Sequence, residues 1–273
     1  MVRMAVPAEF QRQKGDGFAR ERAIQLEPEQ AGVYSEAIKI LNESRIPYVL
    51  SGAFALHAYT GLWRNTKDLD VFIRPGNLDA ALAALAKAGY ETEILEAHWL
   101  SKARKEPYFV DLIFGMANGR VEFDDDFVKS DKGIEVAGEQ APLIRLEELI
   151  VSKIFIAVRD RFDGGDIAHL IRCTEGKVDW ERIANRLGQF RILLLWHFIF
   201  FNFVYPGHAS YIPQGLMSEL FDQVRAGSWS TARDRVCFGT LLDSFSFAVD
   251  IIDWGYTDPR DLRPYTQRKG DAA

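Results

Sequence analysis

The chain has 273 residues, of which 48% are hydrophobic, and its formal net charge is −6. This length and apolar content are sufficient for a substantial core in one or two folded domains. The acidic balance, with a pI of about 5.5, argues against broad binding to duplex DNA, which depends on many Lys and Arg side chains that face phosphates.

Cysteine usage and apolar patterning favour a cytoplasmic location. Cys173 and Cys237 lack the spacing of a zinc site or of a disulfide framework. Residues 1–28 contain no continuous apolar segment of the kind that a signal peptide needs, and we expect a loosely docked leader there. The longest apolar run, residues 192–204, is shorter than the roughly 20 residues that cross a bilayer. We therefore expect a buried helix over this run and no membrane contact.

Residues 29–145 alternate helical and extended patterns. Apolar spacing predicts three helices, over residues 29–43, 53–59 and 77–88. Extended patterns predict strands over residues 48–50, 69–73, 91–95, 97–100, 108–114 and 134–136. This order indicates an α+β fold in which helices flank a mixed sheet. From 146 to 255 nearly every segment has helical spacing, which predicts a second, all-helical domain, followed by an irregular tail over 256–273.

Three aspartates carry the first functional signal. Because side chains alternate across a strand, Asp68 and Asp70 must lie on one face while Leu69 lies on the other. Asp111 stands inside an apolar strand pattern, where an unpaired charge would be costly to bury. Carboxylates so close together repel unless a cation lies between them, and Mg²⁺ prefers oxygen ligands. We therefore predict a metal site formed by these three residues.

Two further segments predict contacts with an anion. The turn Ser51-Gly52-Ala53 leads from a strand into a helix, and such a turn presents free backbone N–H groups to a phosphate. In the predicted helix over residues 146–158, Lys153 falls on the apolar stripe, with Asp160 further along the same face. A lysine there points either to the acids or to a bound phosphate, unless its stem reaches the domain edge.

Other charged segments leave alternatives open. Asp163 is placed to cap the helix that follows, with Asp166 in its first turn, but both could instead border a nucleotide pocket. The run Asp124-Asp125-Asp126 is typical of a solvated turn. Lys102, Arg104 and Lys105 could guide a polyanionic acceptor or form a solvated loop. His169 is expected as a partly buried helix residue, and the aromatic residues between 196 and 203 as a packed core.

Two motifs together resemble a known family. Ser51-Gly52-Ala53-Phe54-Ala55-Leu56 is followed by Arg64-Asn65-Thr66-Lys67-Asp68-Leu69-Asp70. This combination resembles the signature of the DNA polymerase β-like nucleotidyltransferase superfamily. Within it, the chain is most similar to the small bacterial group that includes toxin-type and uncharacterised nucleotidyltransferases. The resemblance covers roughly residues 46–172 and implies the mixed-sheet fold of that superfamily.

The resemblance implies roles for the predicted residues. Asp68 and Asp70 would hold two Mg²⁺ ions and the nucleoside triphosphate, and Asp111 would complete the site and assist deprotonation of the acceptor hydroxyl. The nucleotide-binding set implied by the resemblance and the patterns is Ser51, Gly52, Ala53, Arg64, Thr66, Lys153, Asp163 and Asp166.

The expected reaction is transfer of a nucleoside monophosphate from an NTP to a hydroxyl of tRNA, a protein or a small molecule. One alternative is a catalytically weak or inactive binding module with this fold, such as half of a toxin–antitoxin pair. Another is a metal-dependent phosphohydrolase, which is disfavoured because no histidine joins the acids in the strands.

Overall fold

The structure is a computed structural model that describes residues 24–228 and 235–268. Residues 1–23 of the predicted leader and residues 269–273 of the predicted tail therefore lie outside the described residues. The helices are α1 Pro28–Glu43, α2 Gly52–Thr60, α3 Leu78–Lys87, α4 Leu146–Ile154, α5 Gly164–Cys173, α6 Trp180–Leu187, α7 Ile192–Val204, α8 Gln214–Arg225, α9 Ala248–Ile252 and α10 Tyr265–Arg268. The strands are β1 Tyr48–Leu50, β2 Asp68–Ile73, β3 Glu91–Glu96, β4 Leu100–Lys105, β5 Tyr108–Ile113, β6 Lys132–Val136, β7 Glu139–Leu143, β8 Ala157–Val158 and β9 Arg161–Phe162.

Seven strands form one mixed sheet in the order β3-β4-β5-β2-β1-β7-β6. The pairs β2·β5 and β1·β7 are parallel, and the other neighbours are antiparallel. With the helical C-terminal region, this sheet confirms the α+β class expected from the element order. The chain enters α1 through Pro28 and a capping box between Glu27 and Gln30, two signals that fix the start of a helix.

The two faces of the sheet bury different partners. Leu69 and Val71 belong to a hydrophobic cluster with the buried residues of α1 and α3. Val49 and Phe72, which alternate to the other face, belong to a cluster with residues of α4, α5, α6 and α7. The helical region therefore packs on the face of β2 that carries Phe72 and, by the same alternation, Asp68 and Asp70. The predicted domain boundary near residue 145 stays a prediction.

The sequence pattern predicted that the region after residue 145 is all helical, and this prediction is wrong. Helix α4 ends at Ile154 rather than at residue 158, and the short hairpin β8–β9 follows it. Two strands of the sheet also differ from the prediction. Strand β4 occupies Leu100–Lys105 instead of residues 97–100, and β7 has no counterpart among the predicted strands.

The stretch Trp180–Val204 is long and apolar enough, by length and composition alone, to cross a membrane, and 39% of its most apolar window is buried in the protein. It is not one continuous helix, since Gly188 at φ 53° and ψ −122° ends α6 and a 3₁₀ turn precedes α7. Phe198 and Phe201 are fully buried in the core, and Arg182 is ion-paired to Asp126 and Glu148. Only one face of α7 is buried, since Phe203 is 84% exposed, so the buried helix and the packed aromatic core expected over this run are correct for that face alone.

Candidate active site

Three aspartates meet on one face of the parallel strands β2 and β5. Asp70 and Asp111 are register partners, and Asp68 lies two residues before Asp70 on the same face. One carboxylate oxygen of each residue lies within 4.8 Å of those of the other two. Leu69 and Val71 point to the opposite face and are fully buried. The sheet thus brings together the three carboxylates that side-chain alternation placed on one face, and their roles stay predictions.

The electrostatics of this trio, Asp68, Asp70 and Asp111, favour a bound cation. Burial and then the charges of Asp68 and Asp111 raise the pKa of Asp70 to about 7, against the opposing effect of Lys153 and Arg161. Burial also raises the pKa of Asp111. A divalent cation would relieve the repulsion, and three carboxylates offer only the oxygen ligands that Mg²⁺ prefers. The residues that are present therefore fit a magnesium ion.

The turn after β1 lies against this trio. The backbone N–H of Ser51 donates to the carbonyl oxygen of Asp70 at 2.9 Å. Gly52 has φ +56°, and a Cβ atom on it would lie 1.7 Å from Asp70 Oδ2, so no other residue fits. The Ser51 side chain does not cap α2, which leaves backbone N–H groups of the first helical turn for an anion. Ala53, next in α2, packs partly against the α1 side of the sheet.

Lys153 is buried, as its place on the apolar stripe of α4 predicted, and its partners are aspartates of the next segment. Its Nζ lies 2.8 Å from Asp163 Oδ2 and 2.9 Å from Asp166 Oδ2. Asp163 makes no capping hydrogen bond to α5, so the capping role expected for it is wrong. Burial opposes its charge, but Arg161 and Lys153 together lower its pKa. The two acids are therefore occupied by cations.

Two arginines extend from this network into solvent. Arg161 donates to both carboxylate oxygens of Asp163, at 2.8 and 2.9 Å, and Arg64 lies 2.7 Å from Asp166 Oδ1. Their side chains are 62% and 57% exposed, so each keeps N–H groups free for a second anion. Arg161 also acts on Asp70 through its charge. Arg161 is not among the site residues predicted from the sequence, because its position depends on the β8–β9 hairpin, which no local pattern indicated.

The loop before β2 supports the first aspartate of the pair. Thr66 Oγ1 donates a hydrogen bond to Asp68 Oδ1. The backbone carbonyl of Thr66 also accepts a hydrogen bond from Gln30 Nε2 at 2.6 Å, which fixes this loop to α1. Thr66 therefore contacts a carboxylate of the trio, whereas the sequence analysis expected it to contact the nucleotide.

Three other expectations need correction. Asp160 does not share the face of Lys153, because α4 ends before it and Asp160 lies exposed at the tip of the β8–β9 hairpin. The run 124–126 is not a simple solvated turn, because Asp124 accepts from Arg186 at 2.7 Å. Lys102 does not lie in a loop, because it belongs to β4, where its Nζ is 2.9 Å from Asp111 Oδ1.

A family profile described as an uncharacterised nucleotidyltransferase matches residues 19–201, about two thirds of the chain. The chain belongs to this nucleotidyltransferase family. The match includes the trio, the turn at Gly52, the two arginines and Lys153. It confirms the superfamily resemblance and the enzyme class that the two sequence motifs implied. No curated protein sequence matches the chain.

Several solved structures are similar to this nucleotidyltransferase. A nucleotidyltransferase-like protein from Paracoccidioides brasiliensis is 19% identical over 67% of this chain and 91% of that one, with a TM-score of 0.47. The enzyme ANT(2″)-Ia, in complex with adenylyl-2″-tobramycin, is 13% identical over 60% and 97%, with a TM-score of 0.43. The lincosamide antibiotic adenylyltransferase LnuA, bound to lincomycin, is 13% identical over 55% and 97%, with a TM-score of 0.37. All three scores are below 0.5, so the family assignment depends on the sequence match.

Proposed function

We propose that this nucleotidyltransferase moves a nucleoside monophosphate from an NTP to a hydroxyl acceptor in a magnesium-dependent reaction. The observation that carries the proposal is the meeting of Asp68, Asp70 and Asp111 within 4.8 Å, in a chain of this family. The acceptor would be a hydroxyl of tRNA, a protein or a small molecule.

The trio would hold the metal, and the cations beside it would hold the nucleotide. When bound, Mg²⁺ supplies positive charge that offsets the charge of the triphosphate and of the attacking oxygen. The exposed guanidinium groups of Arg64 and Arg161 are free to contact phosphate oxygens, for which a planar fork of N–H donors is well suited. The turn at Gly52, which lies against Asp70 Oδ2, offers backbone N–H groups to the same anion.

Lys153 would serve the nucleotide less directly than the resemblance implies. Its ammonium is buried and already hydrogen-bonded to two carboxylates, Asp163 and Asp166. These acids in turn hold Arg161 and Arg64. In this proposal Lys153 positions the acids, the acids position the arginines, and the arginines contact the triphosphate.

The acceptor oxygen bonds to the α-phosphorus, the bond from that phosphorus to the bridging oxygen of the β-phosphate breaks, and pyrophosphate leaves. The hydroxyl proton passes to Asp111, whose carboxylate lies beside Asp70 in the parallel pair β2·β5.

The test is calorimetric titration of the full chain with each of the four NTPs, with and without Mg²⁺, followed by transfer assays with α-labelled and γ-labelled NTP. We expect Mg²⁺-dependent binding that Asp70→Asn weakens at least about tenfold. Asp125→Asn is the matched control, because it also removes one carboxylate charge but from an exposed side chain paired with Arg74.

Four results would contradict the proposal. One is the absence of NTP binding to the wild type, and another is equal binding by the two aspartate variants. Binding without metal dependence would indicate an inactive module. Release of γ-labelled phosphate without transfer of the α-label would indicate a phosphohydrolase.

A further inference from the structure

Lys102 is a charged residue at the trio that the proposed reaction does not use. We propose that Lys102 is a resident counter-ion that competes with divalent metal for Asp111, so that the nucleotide-free site binds metal weakly and the ion enters with the nucleotide. This inference rests on the proposed function, because it assumes that the trio binds a divalent cation.

The strand register places Lys102 in line with the trio. Lys102 is the antiparallel partner of Asp111, and Asp111 is the parallel partner of Asp70. The three side chains thus form a row across β4, β5 and β2 on one face of the sheet. The Lys102 Nζ lies 2.9 Å from Asp111 Oδ1, and the two side chains are 12% and 13% exposed. The ammonium is therefore close to the carboxylates and largely out of water.

An aromatic ring holds this ammonium in place. Phe109 lies two residues before Asp111 on the same face of β5, and Lys102 Nζ is 3.5 Å from the centre of its ring. Asp111 Oδ1 is buried, and Lys102 Nζ is its ion-pair partner at 2.9 Å. An incoming cation would therefore have to displace this ammonium from Asp111.

Charge explains why Lys102 and a metal ion compete. The three carboxylates carry a formal charge of −3 when all are ionised, and the ammonium offsets one of these charges. A divalent ion at the trio would also lie within a few ångströms of the ammonium, where like charges repel strongly in a partly buried place. A metal ion that arrives with a triphosphate brings negative charge with it, so the same repulsion is largely offset. Lys102 thus favours metal–nucleotide over free metal.

The test measures Mn²⁺ binding to the full chain by electron paramagnetic resonance, first without nucleotide and then with a non-hydrolysable ATP analogue. We expect Lys102→Met to bind Mn²⁺ at least about tenfold more tightly than the wild type without nucleotide. Lys102→Arg keeps the charge and should stay within about threefold of the wild type. With the analogue, the difference between Lys102→Met and the wild type should shrink.

Lys105→Met is the matched control. Lys105 lies on the same strand but on the opposite face, where its Nζ pairs with Glu36. The Lys105→Met variant therefore loses the same charge, but away from the trio. Lys102→Gln provides a second neutral variant if the methionine variant does not fold. Unchanged or weaker Mn²⁺ binding by both neutral Lys102 variants, with folding verified by circular dichroism, would overturn the inference.

The same experiment separates the two proposals. If the wild type binds Mn²⁺ with the analogue and Asp70→Asn does not, the proposed metal site stands whatever the Lys102 variants do. If no variant binds Mn²⁺ under either condition, both proposals fail.

Discussion

Gly52 offers the sharpest test of how the turn after β1 serves the trio. Its φ of +56° is left-handed, and a Cβ atom there would lie 1.7 Å from Asp70 Oδ2. An ordinary contact begins at 3.4 Å, so in Gly52→Ala the carboxylate has to move by about 1.7 Å. Displacement of a reacting group by about 1 Å can cost on the order of 100-fold in rate. We therefore expect Gly52→Ala to lose nucleotidyl transfer at least about 100-fold and to bind Mn²⁺ more weakly.

The backbone cost of the substitution is separate and smaller. A left-handed alanine costs about 1–2 kcal/mol, which in a chain of this size lowers Tm by roughly 2–8 °C. Gly89→Ala is the matched control, because Gly89 has φ +85° at the end of α3 and open space where a Cβ would be. We expect it to lose similar stability but to keep metal binding and transfer.

The assays are thermal unfolding, Mn²⁺ titration and transfer of α-labelled nucleotide. If Gly52→Ala keeps metal affinity and transfer at the level of Gly89→Ala, Asp70 tolerates the displacement and the argument from close packing is wrong. If both variants lose transfer equally, backbone strain rather than the contact with Asp70 would explain the loss.

Three further predictions concern charged and titratable residues outside the trio. Glu148→Gln should lower the free energy of unfolding by about 3 kcal/mol in urea titrations, because the fully buried carboxylate lies 2.6 Å from the guanidinium of Arg182. The control Glu219→Gln, at an exposed ion pair, should lower it by less than about 1 kcal/mol. Equal losses in the two variants would contradict this prediction. Arg161→Met should raise the Kd for NTP at least about tenfold in calorimetric titrations. The control Arg159→Met, at the exposed hairpin tip, should leave this Kd unchanged. A larger increase in Kd for Arg159→Met than for Arg161→Met would exclude Arg161 from the nucleotide site. Burial lowers the pKa of His197 from 6.5 to about 4. As the pH falls through this range, the unfolded chain takes up a proton and the folded chain does not. The free energy of unfolding should therefore fall by up to about 1 kcal/mol for each pH unit that the pH drops from 6.5 to 4. Urea titrations at several pH values should show a flatter profile for His197→Gln, and an unchanged profile would refute the assignment.

The sequence predicted the elements that have strong local patterns. The alternation in β2 separates Asp68 and Asp70 from Leu69, and the observed register shows the same separation. Helix α1 begins and ends within one residue of its predicted bounds, because its buried residues recur at the helical spacing that the sequence shows. These features depend on near neighbours in the chain, and a single sequence is enough to see them.

The sequence could not predict features that depend on contacts between distant segments. Strand β4 was placed too early because its buried face consists only of Ser101 and Ala103, which give a weak apolar signal. The β8–β9 hairpin was concealed because residues 156–158 continue the apolar spacing of α4. Lys102 and Arg161 both lie in these mispredicted elements, so their contacts with Asp111 and Asp163 could not be anticipated.

The parallel pairing of β1 with β7 has a mechanical consequence. The two strands end side by side, with Leu50 opposite Leu143 and the N–H of Ile144 donating to the carbonyl oxygen of Leu50 at 3.0 Å. One strand continues into the turn at Gly52 and the other, three residues later, into the helix that carries Lys153. An opening motion hinged near residue 145 would have to strain this hydrogen bond, so we expect the turn at Gly52 and the helix that carries Lys153 to move as one rigid unit.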